Sequence, residues 1–204
     1  AAPLREGDLW QETTRRSGDP AVSPDGKKIV IVERFREDPP RLVVWSTAPP
    51  EKEENRYQEQ LDEIRRRDPE DVLPVRAKPL RRDPLHTFTA ANGGDLMMPR
   101  WTPDGRSILY GHRQPDAGGF LHHDLFLWTP ESGENRRVTW LADVKEADPF
   151  PDGRSAVAIR TRGGQSQLVI VDLSSGQVRP LTGASLDVAT RTHPSFVRRT
   201  AGSP

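Results

Sequence analysis

Short apolar runs recur along the chain: Ile29-Val30-Ile31-Val32, Leu42-Val43-Val44-Trp45, Leu125-Phe126-Leu127-Trp128 and Leu168-Val169-Ile170-Val171, each bounded by Pro, Gly or Asp. Runs of this length, closed off by residues that interrupt regular structure, predict strands buried on both faces. They come in register with a repeated turn. Pro24-Asp25-Gly26 precedes a strand from Lys28 to Val32, Pro103-Asp104-Gly105 precedes one from Ser107 to Tyr110, and Pro151-Asp152-Gly153 precedes one from Ala156 to Arg160. Pro presets φ for the first corner, Asp bonds its own backbone, and Gly accepts positive φ, so each triplet predicts a hairpin. A second apolar strand follows each hairpin, and two of these lead to turns ending at Gly133 and Gly176. A short closing strand then carries Phe88-Thr89, Val138-Thr139 or Leu181-Thr182.

Four strands per unit is the blade of a β-propeller, and self-similarity at a period of about 40–50 residues is its sequence signature. The expected class is therefore all-β, with antiparallel blades at 19–90, 96–140 and 146–183. A fourth blade is expected to begin at 192–198, where Thr192-His193-Pro194-Ser195-Phe196 repeats an opening strand. Ile29, Ile108 and Val157 are expected at equivalent places in successive sheets. The second and third turns lie 48 residues apart and the first and second 79, so blade one carries an insertion, placed at 49–84. Within it, Glu51 to Arg67 predicts a helix, acidic at its start and basic at its end as the helix dipole favours. Tyr57, Leu61 and Ile64 form its one apolar stripe, and the segment after Pro69 is expected to run back as an extended connector.

Composition agrees with many short strands: 20 Pro and 16 Gly in 204 residues leave little room for long helices. Lys and Arg total 30 against 30 Asp and Glu, so no global field draws the chain to nucleic acid or an anionic membrane. Cysteine is absent, which excludes disulfides, thiolate nucleophiles and thiolate zinc sites. No apolar run approaches the roughly 20 residues that span a bilayer, so membrane insertion is not expected. The first residues, Ala1-Ala2-Pro3, suit the mature side of a processed export signal or a cropped chain.

These residues resemble the repeat of TolB-like propellers, in which P-x-W-S-P-D-G leads into an apolar strand, a second strand and a closing Leu-Thr. Blade two carries it through Pro99, Trp101, Thr102, Pro103, Asp104, Gly105, Ile108, Tyr110, Asp124, Leu125, Trp128, Gly133, Val138 and Thr139. Blade three carries it through Pro149, Pro151, Asp152, Gly153, Leu168, Asp172, Gly176, Leu181 and Thr182, with two residues missing before the turn. Blade one carries it through Pro20, Ser23, Pro24, Asp25 and Gly26. The resemblance implies a propeller used for binding, in a periplasmic or secreted protein. The α/β domain that precedes the TolB propeller is not in this sequence. Three blades do not close a ring, so completion by missing blades of a longer protein, or by oligomerisation, is expected.

Catalytic motifs are missing. Gly164-Gln165-Ser166-Gln167-Leu168 lacks the second Gly of a nucleophile elbow, and no zinc-peptidase, P-loop or dinucleotide motif occurs. No catalytic residue, cofactor or metal ligand is assigned. His122-His123-Asp124 holds ligand-type side chains, but neighbours in a strand point to opposite faces. Asp25, Asp104 and Asp152 recur as a ring would require, although turn chemistry already accounts for them. Trp10, Trp45, Trp101, Trp128 and Trp140 include candidates for a rim anchor, those within strands being expected in the core. The charged helix is the other partner-binding candidate, through Tyr57, Leu61 and Ile64 and the basic run Arg65, Arg66 and Arg67, with Arg81 and Arg82 near in sequence. Two functions are thus expected: a non-catalytic module that binds protein or peptide, or the gating propeller of a prolyl-oligopeptidase-like or metallopeptidase protein.

Overall fold

The computed structural model describes residues 15–35, 38–48, 51–70, 83–90 and 94–181. The expected fourth blade, Trp10, Arg81, Arg82 and Thr182 lie outside the described residues. Among the described residues, twelve strands form three four-stranded antiparallel sheets, each built from consecutive strands. Blade one holds β1 (Arg15–Val22), β2 (Lys28–Phe35), β3 (Arg41–Ser46) and β4 (His86–Thr89). Blade two holds β5 (Asp95–Trp101), β6 (Ile108–Pro115), β7 (Leu121–Thr129) and β8 (Glu134–Arg137). Blade three holds β9 (Val144–Pro149), β10 (Ser155–Arg162), β11 (Gln165–Asp172) and β12 (Val178–Pro180). Among the described residues there is one helix, α1 (Glu51–Arg67), which falls between β3 and β4 as the charge pattern predicts.

The sheets stack face to face and fan out from one edge. The first strands β1, β5 and β9 run beside one another in turn, whereas the last strands β4, β8 and β12 make no such approach. This is the arrangement of propeller blades about an axis. Blade two is covered on both faces, which explains its unbroken apolar run. Ile108, Tyr110, Phe126 and Trp128 pack on Val30, Val32, Leu42 and Val44 of blade one. Leu109 and Leu125 pack on Ala156, Ala158, Val169 and Val171 of blade three. Directed bonds stitch the seams as well: Trp101 Nε1 donates to the Ala21 carbonyl at 3.0 Å, and Arg136 Nη2 donates to the Leu173 carbonyl at 2.8 Å. Gly176, with φ of 74°, is held against the second seam, where a Cβ would collide with the Val138 carbonyl.

Two details of the expected alignment are corrected. The pairings Ile29 with Trp45, Ile108 with Trp128 and Ala156 with Val171 show that Ala156, not Val157, is the equivalent of Ile29 and Ile108. Val157 lies one position on and faces away from blade two; a slip of one residue moves a side chain to the other face, and its bulk had masked the small residue that sets the register. Nor are two residues missing before the third turn. Each first strand is interrupted by a bulge, and the left-handed residues of the three bulges, Asp19, Met98 and Glu146, each lie six positions before the turn Asp. Pro20 and Pro99 follow the bulge residue directly, Ala147 does so in blade three, and Pro149 stands where blade two has Trp101.

Candidate functional site

The repeated turns are self-contained. Ser23 Oγ donates to Asp25 Oδ1 at 2.6 Å while accepting from Lys28 N, and Asp25 Oδ1 also accepts from Lys27 N. Thr102, Asp104, Arg106 and Ser107 repeat every one of these bonds. Those hydroxyls, first among the causes, hold the Asp25 and Asp104 carboxyls below the usual carboxylate range. In the third turn Phe150 stands where the hydroxyl would be, and Asp152 keeps only the bond from Arg154 N. Gly26, Gly105 and Gly153 take φ of 72°, 69° and 67°, as the turn requires. The turns sit side by side: the Pro24 ring lies 3.6 Å from where a Cβ on Gly105 would be, and the Pro103 ring 3.9 Å from one on Gly153. Their carboxylates are spent on their own loops, and among the described residues no three His, Cys, Asp or Glu side chains converge as metal ligands would.

The charged helix has the predicted stripe. Leu61 is buried and Tyr57 and Ile64 half-buried, while Arg65, Arg66 and Arg67 are exposed. Arg66 Nε donates to the Asp62 carbonyl and Arg65 lies 3.9 Å from the Asp62 carboxylate, so part of the basic run serves the helix itself. Among the described residues no strand Cα lies within 8 Å of a helix Cα.

A different place stands out at the opposite end of blade two, where β6 turns into β7 and where β8 leads on to β9. The first loop is closed by Asp116, whose Oδ1 accepts from Gly118 N at 2.8 Å and Phe120 N at 2.9 Å. The second is fastened to Asp124, a fully buried carboxylate at the start of the apolar run of β7. Asp124 accepts four bonds: from Thr139 Oγ1 at 2.8 Å, Arg137 Nη2 at 2.7 Å, Leu141 N at 3.0 Å and Ala142 N at 3.1 Å. Thr139 Oγ1 accepts in turn from Leu125 N, which gives the closing Thr of blade two its physical reason.

His122 joins the two loops. Its Nδ1 faces Asp143 Oδ1 at 3.0 Å and its Nε2 faces Asp116 Oδ2 at 3.3 Å, so the protonated ring donates to both. Asp143 first, then Asp116, raises the imidazole above its ordinary value, against a smaller opposing effect of burial. The backbone amide of Phe120 chiefly keeps Asp116 ionised below the usual carboxylate range. The three ligand-type residues thus part company, His122 to the loops, Asp124 to its buried bonds, and His123 to a site where burial lowers its affinity for a proton.

What these loops carry outward is apolar. Phe120 is 72% exposed, Leu121 50%, Trp140 63% and Leu141 48%, four of the seven large apolar side chains exposed among the described residues. Leu141 and Asp143 hold left-handed backbone at φ of 50° and 52°, costing about 1 kcal/mol each, and the bonds to Asp124 and His122 fix them there. Arg137 lies over the Phe126 ring at 5.8 Å and the Trp140 ring at 5.7 Å. Of the tryptophans considered as rim anchors, Trp101 and Trp128 are buried in the seam, Trp45 is half-buried and Trp140 stands out. Phe120, Leu121 and Leu141 were not singled out from sequence. Their signal was apolar residues outside strand runs, after Gly118-Gly119 and after the closing Thr139.

The stacked four-stranded sheets, with inner strands aligned and outer strands splayed, define a β-propeller segment. No family model matches the chain, and no curated protein matches it. Solved structures do match, and they make the fold TolB-like. TolB from Acinetobacter baumannii superposes with a TM-score of 0.51 at 20% identity, over 83% of this chain and 33% of that one. A protein described as TolB from Agrobacterium tumefaciens does so with a TM-score of 0.52 at 18% identity, over 81% of this chain and 46% of that one. The chain spans less than half the length of either. Among the described residues no helix is long and apolar enough to cross a membrane.

Proposed function

We propose that this chain is a non-catalytic protein-binding module, part of a longer periplasmic or secreted protein, and that it meets its partner through the two bridged loops of blade two. One observation carries the proposal. Phe120, Leu121, Trp140 and Leu141 are held out to solvent on loops that His122 fastens to each other. Large apolar side chains, Trp foremost, anchor protein interfaces, and fixing them beforehand lowers the entropy lost on binding. The helix α1 is proposed as a second, peripheral contact through Arg65, Arg66 and Arg67.

Site-specific photo-crosslinking tests this. A benzophenone side chain placed at Phe120 is expected to form adducts with a protein in the native extract. The same group at Arg106, on the turn at the other end of blade two, is expected to form none. Equal labelling from both positions, or none from Phe120, contradicts the proposal. So does a parent reading frame that continues into a peptidase domain against whose mouth these loops pack, which would make the chain a gating propeller.

A further inference from the structure

Resting on that reading, the charges around the patch point to the kind of partner. The anions there are committed. Asp116 and Asp143 both face His122, Asp124 is buried under four bonds, and Asp95 pairs with Arg34 Nη2 at 2.9 Å. Glu146 pairs with Lys145 at 3.5 Å.

The cations are less committed. Arg137 donates from Nε to the Thr139 carbonyl and from Nη2 to Asp124, and among the described residues nothing accepts from Nη1. Arg113 is exposed and has no ion-pair partner among the described residues, although it stands across from Asp95 and His123 in the sheet. Burial first, then Lys145 and Arg113, disfavours a proton on His123, which places those two cations near it. Guanidinium edges left free beside exposed aromatic and leucine side chains match a ligand with carboxylates between apolar groups.

We propose that the blade-two loops bind an extended, acidic segment of a partner protein, its aromatic or leucine side chains resting on Phe120, Trp140 and Leu141 and its carboxylates meeting Arg113 and Arg137 Nη1. The alternative ligand for exposed Trp, Phe and Leu beside basic residues is a membrane surface. It fits less well, because the loops are held by hydrogen bonds rather than free to sink into lipid.

The test is a peptide selection on the full chain from a phage-displayed random library, followed by fluorescence anisotropy with the leading synthetic peptide. Enriched peptides are expected to carry Asp and Glu beside Phe, Trp or Leu. Trp140→Ala is expected to weaken binding about tenfold or more, in line with loss of an interface anchor. Arg113→Glu is expected to weaken it comparably and to favour a twin peptide in which every acidic residue is Lys. Lys27→Glu, on the opposite end, is expected to change nothing. All three side chains are exposed, and circular dichroism verifies that each variant is folded. If the Lys twin binds wild type equally well while Trp140→Ala still weakens it, the acidic partner is overturned and the protein-binding reading stands. If no peptide is enriched, or if vesicles of phosphatidylcholine and phosphatidylglycerol are bound through Trp140 instead, both are overturned.

Discussion

Blade two has two ends built from the same strands, and they differ in what their polar groups are for. At the turn end, Thr102, Asp104 and Gly105 satisfy one another, and blade one repeats the bonds that join hydroxyl, carboxylate and backbone amides. At the loop end, an equally dense set of bonds around Asp124 and His122 holds four large apolar side chains out in water. The difference teaches where to look in a repeat protein. Recurring features explain themselves by local satisfaction, whereas polar groups that fix apolar ones outward have no structural use for them.

The largest effect that can break this comparison is expected from Asp124→Ala. It leaves Arg137, Thr139 and two amides without their acceptor, and is expected to cost about 3 kcal/mol of stability by chemical denaturation. A loss as small as that of a surface substitution contradicts the role given to this carboxylate. Next, Asp104→Ala at the turn end is expected to cost about 1 kcal/mol, and Asp152→Ala about half as much because Phe150 supplies no hydroxyl to lose. Equal losses at the two turns remove the explanation. Trp140→Ala, by contrast, is expected to change stability by no more than about 0.5 kcal/mol while abolishing crosslinking from Phe120. A large destabilisation there makes Trp140 a packing residue.

The subtlest effect is on pH. His122 has its folded pKa raised above the ordinary 6.5, so the bridge between the loops is fully formed below that pH and is lost as pH rises through the folded value. Exchange of the Phe120 and Gly118 amides is expected to show a step from pH 6.5 upward beyond the intrinsic rate, and the step is expected to vanish in His122→Gln. A step in the opposite direction refutes the charged bridge.

The architecture was legible because turn chemistry is local: Pro, Asp and Gly do at positions 24–26, 103–105 and 151–153 what they do in a short peptide. The charged helix was legible for the same reason. Register was less so, since Ala156 carries little hydrophobic signal although it sets the alignment of blade three, and the bulges at Asp19, Met98 and Glu146 have no common residue type. The candidate site was the least legible. Trp140 was visible only as one of five tryptophans, and its neighbours depend on Asp124, His122 and Asp143 meeting across 21 residues or fewer through folds of the chain that sequence spacing does not reveal.

The most direct measurement is hydrogen–deuterium exchange of the full chain with and without its bound partner segment. The account predicts new protection at 116–122 and 138–143 and none at the turns 24–27, 103–106 and 151–154. Protection confined to the turns, with the loops exchanging as before, contradicts it.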